Sequence, residues 1–102
     1  MNRKFSERHN ELAETAFCMS HPARLVILKL LSDGRTMRFT DIRDQLNLSV
    51  ATVFQHLVLL RHAKIINEKH DDVNKKVRLY YITEQGRENL RKLNKFLKET
   101  DN

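Results

Sequence analysis

Gln55 carries an amide that donates and accepts hydrogen bonds side by side, and it stands in the run VATVFQHLVLLR among residues of different chemistry. Thr52 adds a hydroxyl, while Val50, Ala51 and Phe54 add apolar surface. On a helix, Val53, Leu57 and Leu60 recur at i, i+4 and i+7 and form the stripe that turns inward. Val50, Phe54 and Val58 then fall on the side that should meet water, an odd place for an aromatic and two valines. The mixture suits the reading of base edges. An amide can bond adenine, a hydroxyl can reach base or phosphate, and apolar groups can pack on thymine methyls. The alternative is structural, with Phe54 or Val58 tucked against a neighbouring element.

Other chemistries find less support. Cys18 closes the first helix near its apolar face and reads as a small buried hydrophobe; a redox thiol would want a second Cys or a strongly basic setting. His9, His21, His62 and His70 are scattered without the paired spacing of ligands, so no metal site is expected. There is no glycine-rich phosphate loop and no nucleophile elbow. Glu11, Glu14, Asp71 and Asp72 are economical as surface charges. Neither enzymatic activity nor a cofactor is expected.

The net charge of +6 puts nucleic acid first among candidate partners, and its placement says more than its total. Residues 35–64 hold five Lys/Arg against two Asp/Glu, half of the whole excess. The 102 residues, 40% hydrophobic and 31% charged, suit one globular domain over residues 1–102 with a modest core. No apolar run approaches a membrane span, and no leader is recognisable. With a single Cys, the expected location is the cytoplasm.

The surrounding elements follow from periodicity and punctuation. Phe5, Leu12, Ala16 and Met19, with Ala13 and Phe17 beside them, predict one face of a first helix. In SHPARLVILKLLSDG, Pro22 suits the first helical position, Ser20 or His21 can cap, and Gly34 can close the helix in a left-handed conformation. Apolar almost all round, this second helix is expected in the middle of the domain. An extended link, Arg35 to Arg38, leads to a third helix capped by Thr40, with Asp41 near its positive end and Ile42 and Leu46 inward. Asn47 permits a left-handed turn, Leu48 plugs the corner, and Ser49 caps the helix of the opening run. This pair is a helix-turn-helix. Beyond Ala63 the pattern alternates. KIINEKH and KKVRLYYIT flank the turn-forming DDVNK and predict a two-stranded hairpin, with Val77, Leu79 and Tyr81 on one face and Lys76, Arg78 and Tyr80 on the other. Thr83 caps a last helix with a stripe of Leu90, Leu93 and Leu97, and Phe96 beside it. The expected fold is mainly α with a small β-hairpin wing: a winged helix-turn-helix with an extra helix at each end.

Three stretches, HPARLVILKLL, LNLSVATVFQHLVLLR and RLYYITEQG, resemble the ArsR/SmtB family of bacterial winged-helix repressors over roughly residues 8–86. The last stretch also resembles the wing-to-helix passage of MarR- and PadR-like regulators. The resemblance implies a homodimer built on the first and last helices that represses transcription until a signal releases it. The departures concern sensing. MRFTDIRD contains no thiol where related sensors carry Cys-x-Cys, and the last helix contains no His where they place ligands. Arg43 replaces a small residue, and Phe54 stands where the family often has serine. The family's two familiar metal sites are therefore absent, and no effector is named.

The expected partner is double-stranded DNA bearing an inverted repeat, with residues 49–61 in the major groove. Val50, Ala51, Phe54 and Gln55 would read bases. Thr40, Ser49 and Thr52 would reach phosphates from helix starts, as would the basic residues Arg38, Arg43 and Arg61, and Lys75, Lys76 and Arg78 on the wing. His56 either orients the helix or reaches a phosphate. Phe5, Leu12 and Ala16 with Leu90, Leu93 and Leu97 would form the dimer contact. Two alternatives remain open: a winged-helix module that docks a protein through Phe54 and Val58, and a MarR- or PadR-like regulator that answers a small organic ligand.

Overall fold

A computed structural model describes residues 5–99 of the chain. Its elements run α1 (Glu7–Cys18), α2 (Pro22–Leu31), β1 (Met37–Arg38), α3 (Phe39–Asp44), α4 (Val50–His62), β2 (Ile66–His70), β3 (Arg78–Ile82) and α5 (Glu84–Glu99). The winged-helix architecture expected from the sequence is present, with one addition. The link before α3 forms a short strand, so the sheet has three antiparallel strands in the order β1-β3-β2. Met37 pairs with Tyr80 and Arg38 with Leu79, an association between distant segments that local alternation cannot announce.

Local signals account for most helix ends. Ser6 and His9 form a capping box at α1, Ser6 Oγ accepting from the His9 amide at 3.1 Å. His21, rather than Ser20, caps α2: its Nδ1 accepts from the Ala23 amide at 3.0 Å, with Pro22 in the first turn. Gly34 takes φ +89° after α2, and Asn47 takes φ 53° in the turn before α4. Thr40, in contrast, does not cap α3. That helix begins two residues earlier than such a cap requires, its N-cap is Arg38 without a side-chain cap, and the Arg38 guanidinium instead bonds the Asp41 carboxylate at 3.1 Å.

The core gathers Ile27, Leu28 and Leu31 of α2, Ile42 of α3, Val53, Leu57 and Leu60 of α4, and Ile65, Ile66, Tyr80 and Ile82 of the hairpin and its approach. Two expected faces are rotated, and one helix expected to be buried all round is not. On α1 the buried residues are Leu12, Thr15 and Cys18, while Ala13, Ala16 and Phe17 face outward. Thr15 tolerates burial because its hydroxyl donates to the Glu11 carbonyl at 3.0 Å. On α2, Leu25 and Val26 stay exposed at 44% and 38%, so this helix is covered on one side only. On β3 the inward face carries Tyr80 and Ile82, whereas Leu79 and Tyr81 are half-buried.

α5 packs on α1, and its start is pinned to the turn that follows α4. Thr83 Oγ1 accepts from the Gly86 amide at 2.8 Å and donates to the Lys64 carbonyl at 2.7 Å. Gly86 is required there, since a Cβ would stand 2.2 Å from the Ile65 carbonyl oxygen.

Candidate nucleic-acid interface

α4 is anchored by one buried stripe and presents the opposite side outward. Ser49 caps it, its Oγ accepting from the Thr52 amide at 3.2 Å and lying 2.9 Å from the Thr52 hydroxyl. Val53, Leu57 and Leu60 are fully buried. Opposite them Val50 and Phe54 are 51% and 49% exposed, and Ala51 and Gln55 are exposed as well. Thr52 is half-buried beside its capping partner.

Val50 and Phe54 face the wing, while Val58, also exposed, borders a separate hollow with Ile66 and Thr83. Val50 and Phe54 line one wall of a groove of about 550 Å³, with Phe39 and Thr40 of α3 on one side and Lys76, Val77, Arg78 and Tyr80 on the other. Arg38, Lys76 and Arg78 make its border basic. Phe54 therefore both lines the wing and remains half open to a ligand. The wing loop is built on Asp71, whose carboxylate accepts from the Val73 and Asn74 amides at 3.1 and 2.9 Å, and it carries exposed Lys75 and Lys76. Arg43 is exposed on α3.

His56 lies elsewhere. It is 8% exposed and turned into the protein, away from the offered face. Its Nδ1 lies 3.1 Å from Arg24 Nη1, and its ring packs 4.4 Å from the His21 ring. A guanidinium only donates, so His56 Nδ1 is the acceptor and the imidazole is neutral. Burial first, then His21 and Arg24, holds its ionisation below the ordinary histidine range. Arg24, 5% exposed, was not singled out from the sequence although it stands in HPAR. It also donates to the Cys18 and Phe17 carbonyls, both at 3.1 Å, and thereby clamps the negative end of α1 to α4. The signal available was a cation near the start of an otherwise apolar helix, whose other cation, Lys29, sits in the last turn.

Arg61 and Arg78 are not free surface charges. Both pair with Glu68 of β2, Arg61 Nη2 at 3.5 Å and Arg78 through Nη1. Glu68 was likewise missed, and its alternation with Ile66 was the clue. Of the residues expected at a dimer contact, Leu12 and Leu93 are already buried within one chain, while Phe5, Ala16 and Leu97 are exposed and Leu90 is half-buried. Cys18 is buried as expected, and burial pushes its thiol ionisation up. Among the described residues no cluster of three His, Cys, Asp or Glu could hold a metal ion, and no helix is long and apolar enough to cross a membrane.

A family model described as a winged helix DNA-binding domain matches residues 23–100. The chain belongs to that family. It is 31% identical over 78 residues to an uncharacterized HTH-type transcriptional regulator of Methanocaldococcus jannaschii, a match spanning 76% of this chain and 84% of the relative. In fold it is similar to HlyU from Vibrio cholerae N16961, with a TM-score of 0.73 and 19% identity over 90% of this chain and 97% of that one. It is equally similar in kind to an ArsR family transcriptional regulator, with a TM-score of 0.69 and 19% identity over 87% of this chain and 90% of that one. These two likenesses concern the fold. Within a winged-helix DNA-binding protein, α3 and α4 are the helix-turn-helix and the β2–β3 hairpin is the wing.

Proposed function

We propose that this winged-helix protein is a homodimeric, sequence-specific repressor of transcription that acts in the cytoplasm on an inverted-repeat operator. The observation that carries the reading is the offered side of α4: Val50, Ala51, Phe54 and Gln55 exposed on a capped helix whose opposite stripe is fully buried. Gln55 bonds adenine, the apolar residues pack on thymine methyls, and the half-sites lean towards A·T. Arg43, Lys75 and Lys76, with the Thr40 and Ser49 hydroxyls, hold the backbone and set the register. Repression follows from the resemblance to ArsR/SmtB regulators.

One feature supports a dimer: an apolar hollow of about 350 Å³, bordered by Met19, Leu25, Leu28, Leu90, Leu93 and Leu97, opens between α2 and α5. A twofold pair then places its α4 helices about one DNA turn apart.

Selection from a random duplex library, followed by affinity of the winner against salt, tests the reading. Enrichment of an inverted repeat, bound more tightly than scrambled DNA and weakening steeply with salt, is expected. Absence of enrichment would overturn the reading and leave the Phe54–Val58 stripe as a surface for a protein partner.

A further inference from the structure

Glu68 sits where the wing meets the recognition helix. In the β2–β3 ladder it stands opposite Tyr80, on the face of the sheet that turns inward. Its side chain is only 12% exposed, and its carboxylate serves two guanidiniums at once, Arg61 in the last turn of α4 and Arg78 at the start of β3. The Tyr80 phenol lies beside it; burial and then Glu68 push the phenol's ionisation up. Arg61 Nε is buried without a hydrogen-bond partner among the described residues, so the contact with Glu68 is what orients that guanidinium. Arg43, Lys75 and Lys76 make no ion pair among the described residues, and the basic residues around the site thus divide into two classes.

We propose that Glu68 is a specificity-determining positioning residue, whose one carboxylate ties the wing to the recognition helix and withholds Arg61 and Arg78 from DNA phosphates. The inference rests on the DNA-reading function proposed above. Phosphate contacts add affinity without sequence information. Two arginines released onto the backbone would therefore tighten binding to every duplex and dilute the share of affinity that comes from α4. Holding them on Glu68 keeps the wing at one angle to α4 and keeps the base contacts decisive.

The test uses the full chain, the duplex selected by the wild type and a scrambled duplex of equal length. Glu68→Gln preserves shape and removes the charge. It is expected to steepen the slope of log K against log salt by about one to two units. Scrambled DNA should bind more tightly, and the ratio of selected to scrambled affinity should fall about tenfold. Glu68→Asp should restore part of the ratio, and adding Arg78→Gln to Glu68→Gln should take back about one unit of slope. An unchanged slope and ratio, or a parallel loss of affinity for both duplexes, would make Glu68 a purely structural residue and overturn the inference. If Glu68→Gln fails to fold, Arg78→Gln alone decides. An unchanged slope supports sequestration, and a slope shallower by about one unit shows Arg78 already on a phosphate. A wild type that prefers no duplex defeats the DNA-reading proposal, and this inference with it. A wild type with a clear preference and an unmoved Glu68→Gln defeats this inference alone.

Discussion

Phe54 and His56 are two residues apart on α4 and do opposite work. Phe54 stays half exposed on the groove wall, so Phe54→Ser should leave folding stability within about 0.5 kcal/mol, as for other surface changes. It should nevertheless lower affinity for the selected duplex about tenfold, the scale of one lost base contact, with scrambled DNA unaffected. Thermal melting and competition binding read the two effects. An unchanged preference would place Phe54 in wing packing alone. His56 belongs to the interior, neutral beside Arg24 and His21. A histidine whose folded ionisation is depressed contributes stability that is full above its unfolded pKa, near 6.5, and is lost as pH falls through the lower folded value. Stability should therefore drop on acidification below about 6.5, and His56→Gln, which still accepts from Arg24, should flatten that drop. Urea midpoints followed across this pH range give the answer; an identical acid loss in both proteins would exclude His56 as its source.

The elements were legible to different degrees. α4 was read well because its stripe and its Ser49 cap are local. Ser49→Ala should cost about 1 kcal/mol of stability and, by fraying the first turn, weaken DNA binding as well. An unaltered urea midpoint would count against the cap. The β3 face was harder, because Val77, Leu79 and Tyr81 are as apolar as Tyr80 and Ile82, and only the helices packed below decide between the two. The third strand depends on Met37 meeting Tyr80 across more than forty residues of chain. Gly86 also acquires its meaning only in the fold. Gly86→Ala would drive a methyl into the Ile65 carbonyl and should cost about 1–3 kcal/mol, the range for overpacking against a surface that cannot yield. Wild-type stability in that variant would mean that α5 docks more loosely than its contacts suggest.

For the whole molecule, the unfinished business is the apolar side formed by α2 and α5. Leu93 of α5 is already buried within one chain, and charging it would damage the protomer as well as any dimer. Leu97, 54% exposed, is the cleaner probe. Leu97→Glu should give folded monomers in sedimentation equilibrium and lose most affinity for the full inverted repeat while retaining weak half-site binding. A Leu97→Glu protein that stays dimeric would move the contact to another face. Salt separates the same states, since a monomer engages half the phosphates and should show about half the slope.

Local chemistry in the chain was sufficient for the order of the helices and the hairpin, the caps at His21, Ser49 and Thr83, the buried stripe of α4 and the winged-helix class. Each depends on residues within a turn or two of one another. What required the folded chain were relations between distant segments: the Arg24 clamp joining α1 to His56, the strand at Met37, the orientation of β3, and Glu68 between Arg61 and Arg78. Periodicity shows that a residue turns inward, but it does not show what waits there. A buried charge takes its partner from whichever element the fold brings against it.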